Sequence, residues 1–77
     1  MKVEVKLLLT FKKEAGPSPN PFYLELSPGT TVAKAVASLP IPSNMPKVVL
    51  VNGRLSRDEQ VLEEGDLLVV FPPLEGG

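Results

Sequence analysis

Apolar and charged side chains alternate from the second residue onward. Val3, Val5, Leu7 and Leu9 share one face and Lys2, Glu4 and Lys6 the other, so a half-buried strand is predicted over Lys2 to Phe11. Lys12 to Pro21 crowds Gly16, Pro17, Pro19, Asn20 and Pro21 together, which neither a helix nor a ladder tolerates, and reads as a loop. Alternation resumes at Phe22, Leu24 and Leu26 against Tyr23 and Glu25, a second strand expected to pair antiparallel with the first. Ser27 to Thr31 is a turn that delivers a hydroxyl, from Thr30 or Thr31, to the start of a helix over Val32 to Leu39. In that helix Val32, Val36 and Leu39, flanked by Ala33 and Ala35, form the stripe meant for the sheet, and Pro40 stops it.

Pro42 and Pro46 keep the next stretch irregular until Lys47 to Val51. That continuous aliphatic run predicts a strand buried on both faces or partly covered by a partner. Asn52-Gly53 signals a tight hairpin turn into a brief return strand at Arg54-Leu55. A polar connection from Ser56 to Glu64 leads through Gly65-Asp66 into Leu67 to Phe71, the last and most apolar strand. Pro72 and Pro73 cannot donate to a ladder, so the domain is expected to span 1–71 and the tail 72–77. Strand, strand, helix, strand, short strand, strand predicts an α+β roll, a mixed sheet with one main helix on one face. This order resembles the β-grasp, or ubiquitin-like, fold.

Composition narrows the chemistry. A chain of 77 residues builds one core. With Cys 0 and His 0, disulfides, Cys/His zinc sites and thiol or imidazole catalysis are excluded. Eight basic side chains balance nine acidic ones without forming a block, which disfavours a nucleic-acid partner. The longest apolar run, Leu67 to Phe71, is far short of the ~20 residues of a membrane-spanning helix, so no membrane partner is expected. Charges at Lys2, Glu4 and Lys6 interrupt any export signal, and the cytoplasm is the expected compartment.

Glu63-Glu64 and Asp58-Glu59 are adjacent carboxylates, but neighbours in a polar connection project apart and read as solvated turn charges rather than a hydrolytic pair. Lys12-Lys13 and Arg54/Arg57 read likewise as solvated charges. Ser, Thr and Tyr have no histidine to activate them, so the chain is not expected to be an enzyme on its own and no catalytic or metal-binding residue is assigned.

The tail invites a different reading. Pro72-Pro73 presets extended backbone, after which Leu74-Glu75-Gly76-Gly77 narrows to main chain alone. Fully extended, this tail spans about 19 to 21 Å, enough to thread a carboxylate into another protein's active site. Gly76 and Gly77 pass a narrow channel because they carry no side chain. The reactive group would then be the terminal carboxylate.

Gly65-Asp66 followed by Phe71-Pro72-Pro73-Leu74-Glu75-Gly76-Gly77, together with Val51-Asn52 before the hairpin, resembles the MoaD/ThiS-type sulfur carriers. The Phe-Pro-Pro step is most similar to the small subunit of molybdopterin synthase. The resemblance implies that Gly77 is the covalent carrier group. An ATP-dependent E1-like enzyme adenylates it, a sulfur donor protein converts it to a thiocarboxylate, and the large subunit of molybdopterin synthase receives the sulfur. It also implies that Pro72, Pro73, Leu74, Glu75 and Gly76 thread the tail, that Phe71, with Val69 and Leu50, docks partners, and that the carrier binds no cofactor, ATP being used by the activating enzyme. Delivery of sulfur to thiamine thiazole or tRNA, conjugation as a ubiquitin-like modifier, and a plain interaction module remain the alternatives.

Overall fold

The computed structural model describes residues 1–9, 21–39, 41 and 46–73. Among these, five strands form one mixed sheet: β1 (Lys2–Leu7), β2 (Phe22–Glu25), β3 (Val48–Val51), β4 (Arg54–Leu55) and β5 (Leu67–Phe71), in the order β2-β1-β5-β3-β4. One short helix, α1 (Val32–Ala37), lies between β2 and β3 in the chain. β1 and β5 pair in parallel and every other neighbouring pair is antiparallel. The α+β roll expected from the element order is thus the one observed. Among the described residues no helix is long and apolar enough to cross a membrane.

β1 ends earlier than its alternation predicts. Leu9 adopts a φ of 58°, a left-handed conformation that leaves the ladder, and its side chain is exposed. The predicted continuation to Phe11 and the loop over 12–20 lie outside the described residues.

Two sets of strand residues separate cleanly. Val3, Val5 and Leu7 of β1, Leu68 and Val70 of β5 and Val51 of β3 are buried together with Val32, Ala35 and Leu39 from the helical segment. The registers set Val5 beside Leu68, Leu7 beside Val70 and Val51 beside Leu68, so these side chains share the helix face of the sheet. β5 is the most apolar strand because it is the central one, flanked by a ladder on each side.

Thr31 is the N-cap, its hydroxyl accepting from the Lys34 amide at 3.3 Å, while the Thr30 hydroxyl donates to the Ser27 carbonyl. Ser38 closes the helix, two residues before Pro40, which lies outside the described residues. The buried stripe is Val32, Ala35 and Leu39, whereas Val36 is only half-buried and Ala33 exposed. Of the two candidates one turn along, the one sunk in the core is the smaller, since an alanine lets the short helix approach the sheet.

The connection from Ser56 to Glu64 does more than link β4 to β5. The Val32 and Ala33 amides, two of the donors left open at a helix start, reach the Gln60 and Asp58 carbonyls at 2.8 and 3.0 Å. The Leu62 amide donates to the Thr30 carbonyl, and the Leu62 side chain is fully buried in the core. One leucine in a polar stretch carries no period, so nothing in the pattern marked it.

Candidate functional site

The face of the sheet opposite α1 carries the other half of each alternating pattern. β5 contributes Leu67, Val69 and Phe71, β3 contributes Val48 and Leu50, and β4 contributes Leu55. Register places Phe71 beside Val48, Val69 beside Leu50, and Leu50 beside Leu55, which makes one contiguous apolar strip. The five residues of β3 and β5 are half-buried and Leu55 is 78% exposed. No described element covers them. The run Val48–Val51 is therefore partly covered rather than buried on both faces: only Val51 falls below the surface completely.

β1 and β2 supply a charged margin to the same face. Glu4 lies beside Leu67 and Lys6 beside Val69, while Lys2 pairs with Glu25 and Glu4 with Tyr23. The Lys2 ammonium sits 4.6 Å from the centre of the Tyr23 ring, a cation–π contact on an exposed surface. An apolar centre with a polar rim of both signs is the anatomy of a protein interface.

Phe71, Val69 and Leu50, the three docking candidates, thus fall together on one face, with Phe71 at the end of the central strand. Val48, Leu55 and Leu67 complete the strip. The first two were legible in principle, because a two-residue Asn-Gly turn sets Leu50 opposite Leu55 and the period of β3 then places Val48 with Leu50.

The ladder stops where proline begins. Just past β1 the Leu8 amide donates to the Val70 carbonyl at 3.0 Å; beyond Phe71, Pro72 is half-buried and Pro73 exposed. The chain therefore leaves the sheet directly beside the Phe71/Val48 rung. Leu74, Glu75, Gly76 and Gly77, the remaining tail candidates, lie outside the described residues.

The other acidic and basic candidates do not converge on a reaction centre. Asp58, Glu59, Glu63 and Glu64 are all exposed, and one Glu64 oxygen accepts from the Lys2 backbone amide at 3.0 Å. Arg54 and Arg57 are exposed on different segments, and Lys12 and Lys13 lie outside the described residues.

Comparison with known proteins agrees with this architecture. SAMP1, the small archaeal modifier protein 1 of Haloferax volcanii, superposes with a TM-score of 0.84 at 24% identity, each chain covering 100% of the other. A candidate molybdopterin converting factor subunit 1 from Pyrococcus furiosus gives 0.80 at 25% identity, over 95% of this chain and 98% of that one. A ubiquitin from Caldiarchaeum subterraneum gives 0.62 at 22% identity, over 100% of this chain and 98% of its own. These neighbours share the ubiquitin-like β-grasp fold. No curated protein matches the sequence. The sequence model of the ThiS family matches residues 11–77, and the chain belongs to that family.

Proposed function

We propose that the protein is a sulfur carrier and that its working group is the carboxylate of Gly77. An E1-like enzyme joins that carboxylate to the α-phosphate of ATP, releasing pyrophosphate. The resulting mixed anhydride has AMP as a good leaving group: hydrosulfide released by a sulfur donor protein attacks the acyl carbon, the C–S bond forms as the C–O bond to AMP breaks, and a thiocarboxylate remains. The carrier needs no catalytic side chain of its own. Gly76 and Gly77 give an activating site access to bare main chain, and Leu74 and Glu75 link them to the stiff Pro72-Pro73 step.

In the version favoured here the charged tail enters the large subunit of molybdopterin synthase and yields its sulfur to a pterin precursor. The family match supports the carrier role, and the similarity to a candidate molybdopterin converting factor subunit and the Phe-Pro-Pro step support this branch. The observation that carries the reading is the position of the tail exit. Pro72 leaves the central strand beside Phe71, at the end of the uncovered apolar strip formed with Val69 and Leu50. A partner seated on that strip receives the tail without any rearrangement of the domain.

Intact-mass measurement on the protein from its native host tests the carrier step. Replacement of one terminal oxygen by sulfur is expected, and adenylation by the cognate activating enzyme should vanish when Gly76 and Gly77 are removed. Adenylation that survives the truncation would end the proposal. Loss of molybdoenzyme activity on gene deletion, with thiamine synthesis and tRNA thiolation spared, is expected of the favoured branch; a thiamine requirement with normal molybdoenzymes would assign a different one.

A further inference from the structure

Asn52 opens the turn between β3 and β4 with a φ of 52°, and Gly53 follows at 84°, the paired positive angles of a tight hairpin turn. The side chain of Asn52 is held at both ends. Its amide nitrogen donates to Asp66 Oδ1 at 2.9 Å, and its carbonyl oxygen accepts from the Leu67 amide at 3.0 Å. The Asn52 backbone amide also donates to the Leu67 carbonyl at 2.9 Å. The second oxygen of Asp66 accepts from the Glu63 amide at 2.8 Å. One asparagine and one aspartate thus latch the hairpin turn to the start of the central strand.

This asparagine precedes a glycine, the neighbour that leaves its own nitrogen least shielded. Asn20 and Asn44 differ in sequence: Asn20 precedes Pro21, whose nitrogen carries no hydrogen, and Asn44 precedes Met45, a bulkier residue than glycine. We propose that Asn52 is a self-modification site, a deamidation site that the Asp66/Leu67 latch holds closed in the folded protein and that cannot latch again once it has reacted.

In the reaction the Gly53 nitrogen attacks Cγ of Asn52, forming the N–Cγ bond of a five-membered imide. The Cγ–Nδ2 bond breaks, the Gly53 N–H proton goes to the departing nitrogen, and ammonia is released. Water then adds to one of the two imide carbonyls and opens the ring, giving aspartate or its β-linked isomer. Ring closure requires Cγ to swing onto Gly53, which both side-chain hydrogen bonds oppose. The product loses the donor that faced Asp66 and sets a carboxylate against a carboxylate. Like charges within hydrogen-bond distance disfavour that contact, so the latch stays open. The modification does not depend on the carrier reading.

Peptide-mapped mass spectrometry of the full chain, incubated in mildly alkaline buffer, follows Asn52 in three arms: native protein, protein in urea, and native Asp66→Ala. Each hydrogen bond contributes a net factor of about fivefold, so native Asn52 is expected to react at least about tenfold more slowly than in urea, with Asp66→Ala about fivefold faster than native. Equal rates in the native and urea arms, or an Asp66→Ala rate equal to that of the native chain, would overturn the proposal. Should Asp66→Ala fail to fold, a swap of the two groups decides it. Asn52→Asp and Asp66→Asn each face like against like and should lower the urea midpoint. The double variant restores a donor opposite an acceptor and still leaves acceptors for the Leu67 and Glu63 amides, so its midpoint should return towards that of the native chain. A double variant no better than the worse single one would also overturn it.

Discussion

The two sides of β5 predict opposite responses to the same truncation. Leu68 is fully buried between Val5 of β1 and Val51 of β3, so Leu68→Ala leaves a cavity in the core and is expected to cost about 2 to 5 kcal/mol. A chain of this length is stable by only about 4 to 12 kcal/mol, so that single change removes a large part of the total. Phe71 lies three residues on, on the opposite face, half-buried, with Val48 as its rung partner and no partner on β1. Its truncation loses part of one cross-strand pair, about 1 kcal/mol. Since a domain of this size loses about 4 to 8 °C of melting temperature per kcal/mol, Leu68→Ala should melt at least ~8 °C lower, and ~20 °C or more lower at the upper end of that cost, and Phe71→Ala ~4 to 8 °C lower. Urea unfolding followed by circular dichroism measures both, with an unchanged slope confirming that stability alone has moved. On the docking reading, Phe71→Ala also weakens binding to the activating enzyme or the synthase large subunit by about 2 kcal/mol, roughly thirtyfold in Kd. A Phe71→Ala midpoint as low as that of Leu68→Ala would show that Phe71 belongs to the core, and unchanged binding would remove it from the interface.

Three further outcomes are expected. Thr31→Ala removes the acceptor of the Lys34 amide and should destabilise the fold by about 1 kcal/mol in a urea melt, whereas Thr31→Ser should restore most of that loss. Gly65 sits at a φ of 83° with open space where a Cβ would stand, so Gly65→Ala should cost about 1 to 2 kcal/mol from backbone strain alone, with Gly65→Asn closer to the native midpoint. Replacing Pro72 and Pro73 together by glycine should leave the melting temperature within about 2 °C, because both lie beyond the end of β5 and neither donates to a ladder, yet weaken pairing with a large subunit by freeing the tail before it binds; co-purification yields measure the second effect.

Most elements were legible because their signals are local. Period-two alternation marks β1 and β2 whatever they pair with, a threonine before a run of helix formers marks the start of α1, and Asn52-Gly53 marks a two-residue hairpin and its register. The tail stood out for an equally local reason: two prolines followed by two glycines break a ladder and then shed their side chains. Alternation, however, divides a strand into two sets without saying which set the helix will cover. That choice was made by long-range pairing, the parallel union of β1 with β5 above all, which aligned Val3, Val5 and Leu7 with Leu68 and Val70 beneath α1 and left Val69, Phe71, Val48 and Leu50 on the other side. The same packing sank Ala35 deeper than Val36, drew Leu62 out of a polar connection into the core, and brought Asn52 against Asp66 from fourteen positions away. Contacts between residues distant in sequence leave no period in the chain, so only the assembled sheet reveals them.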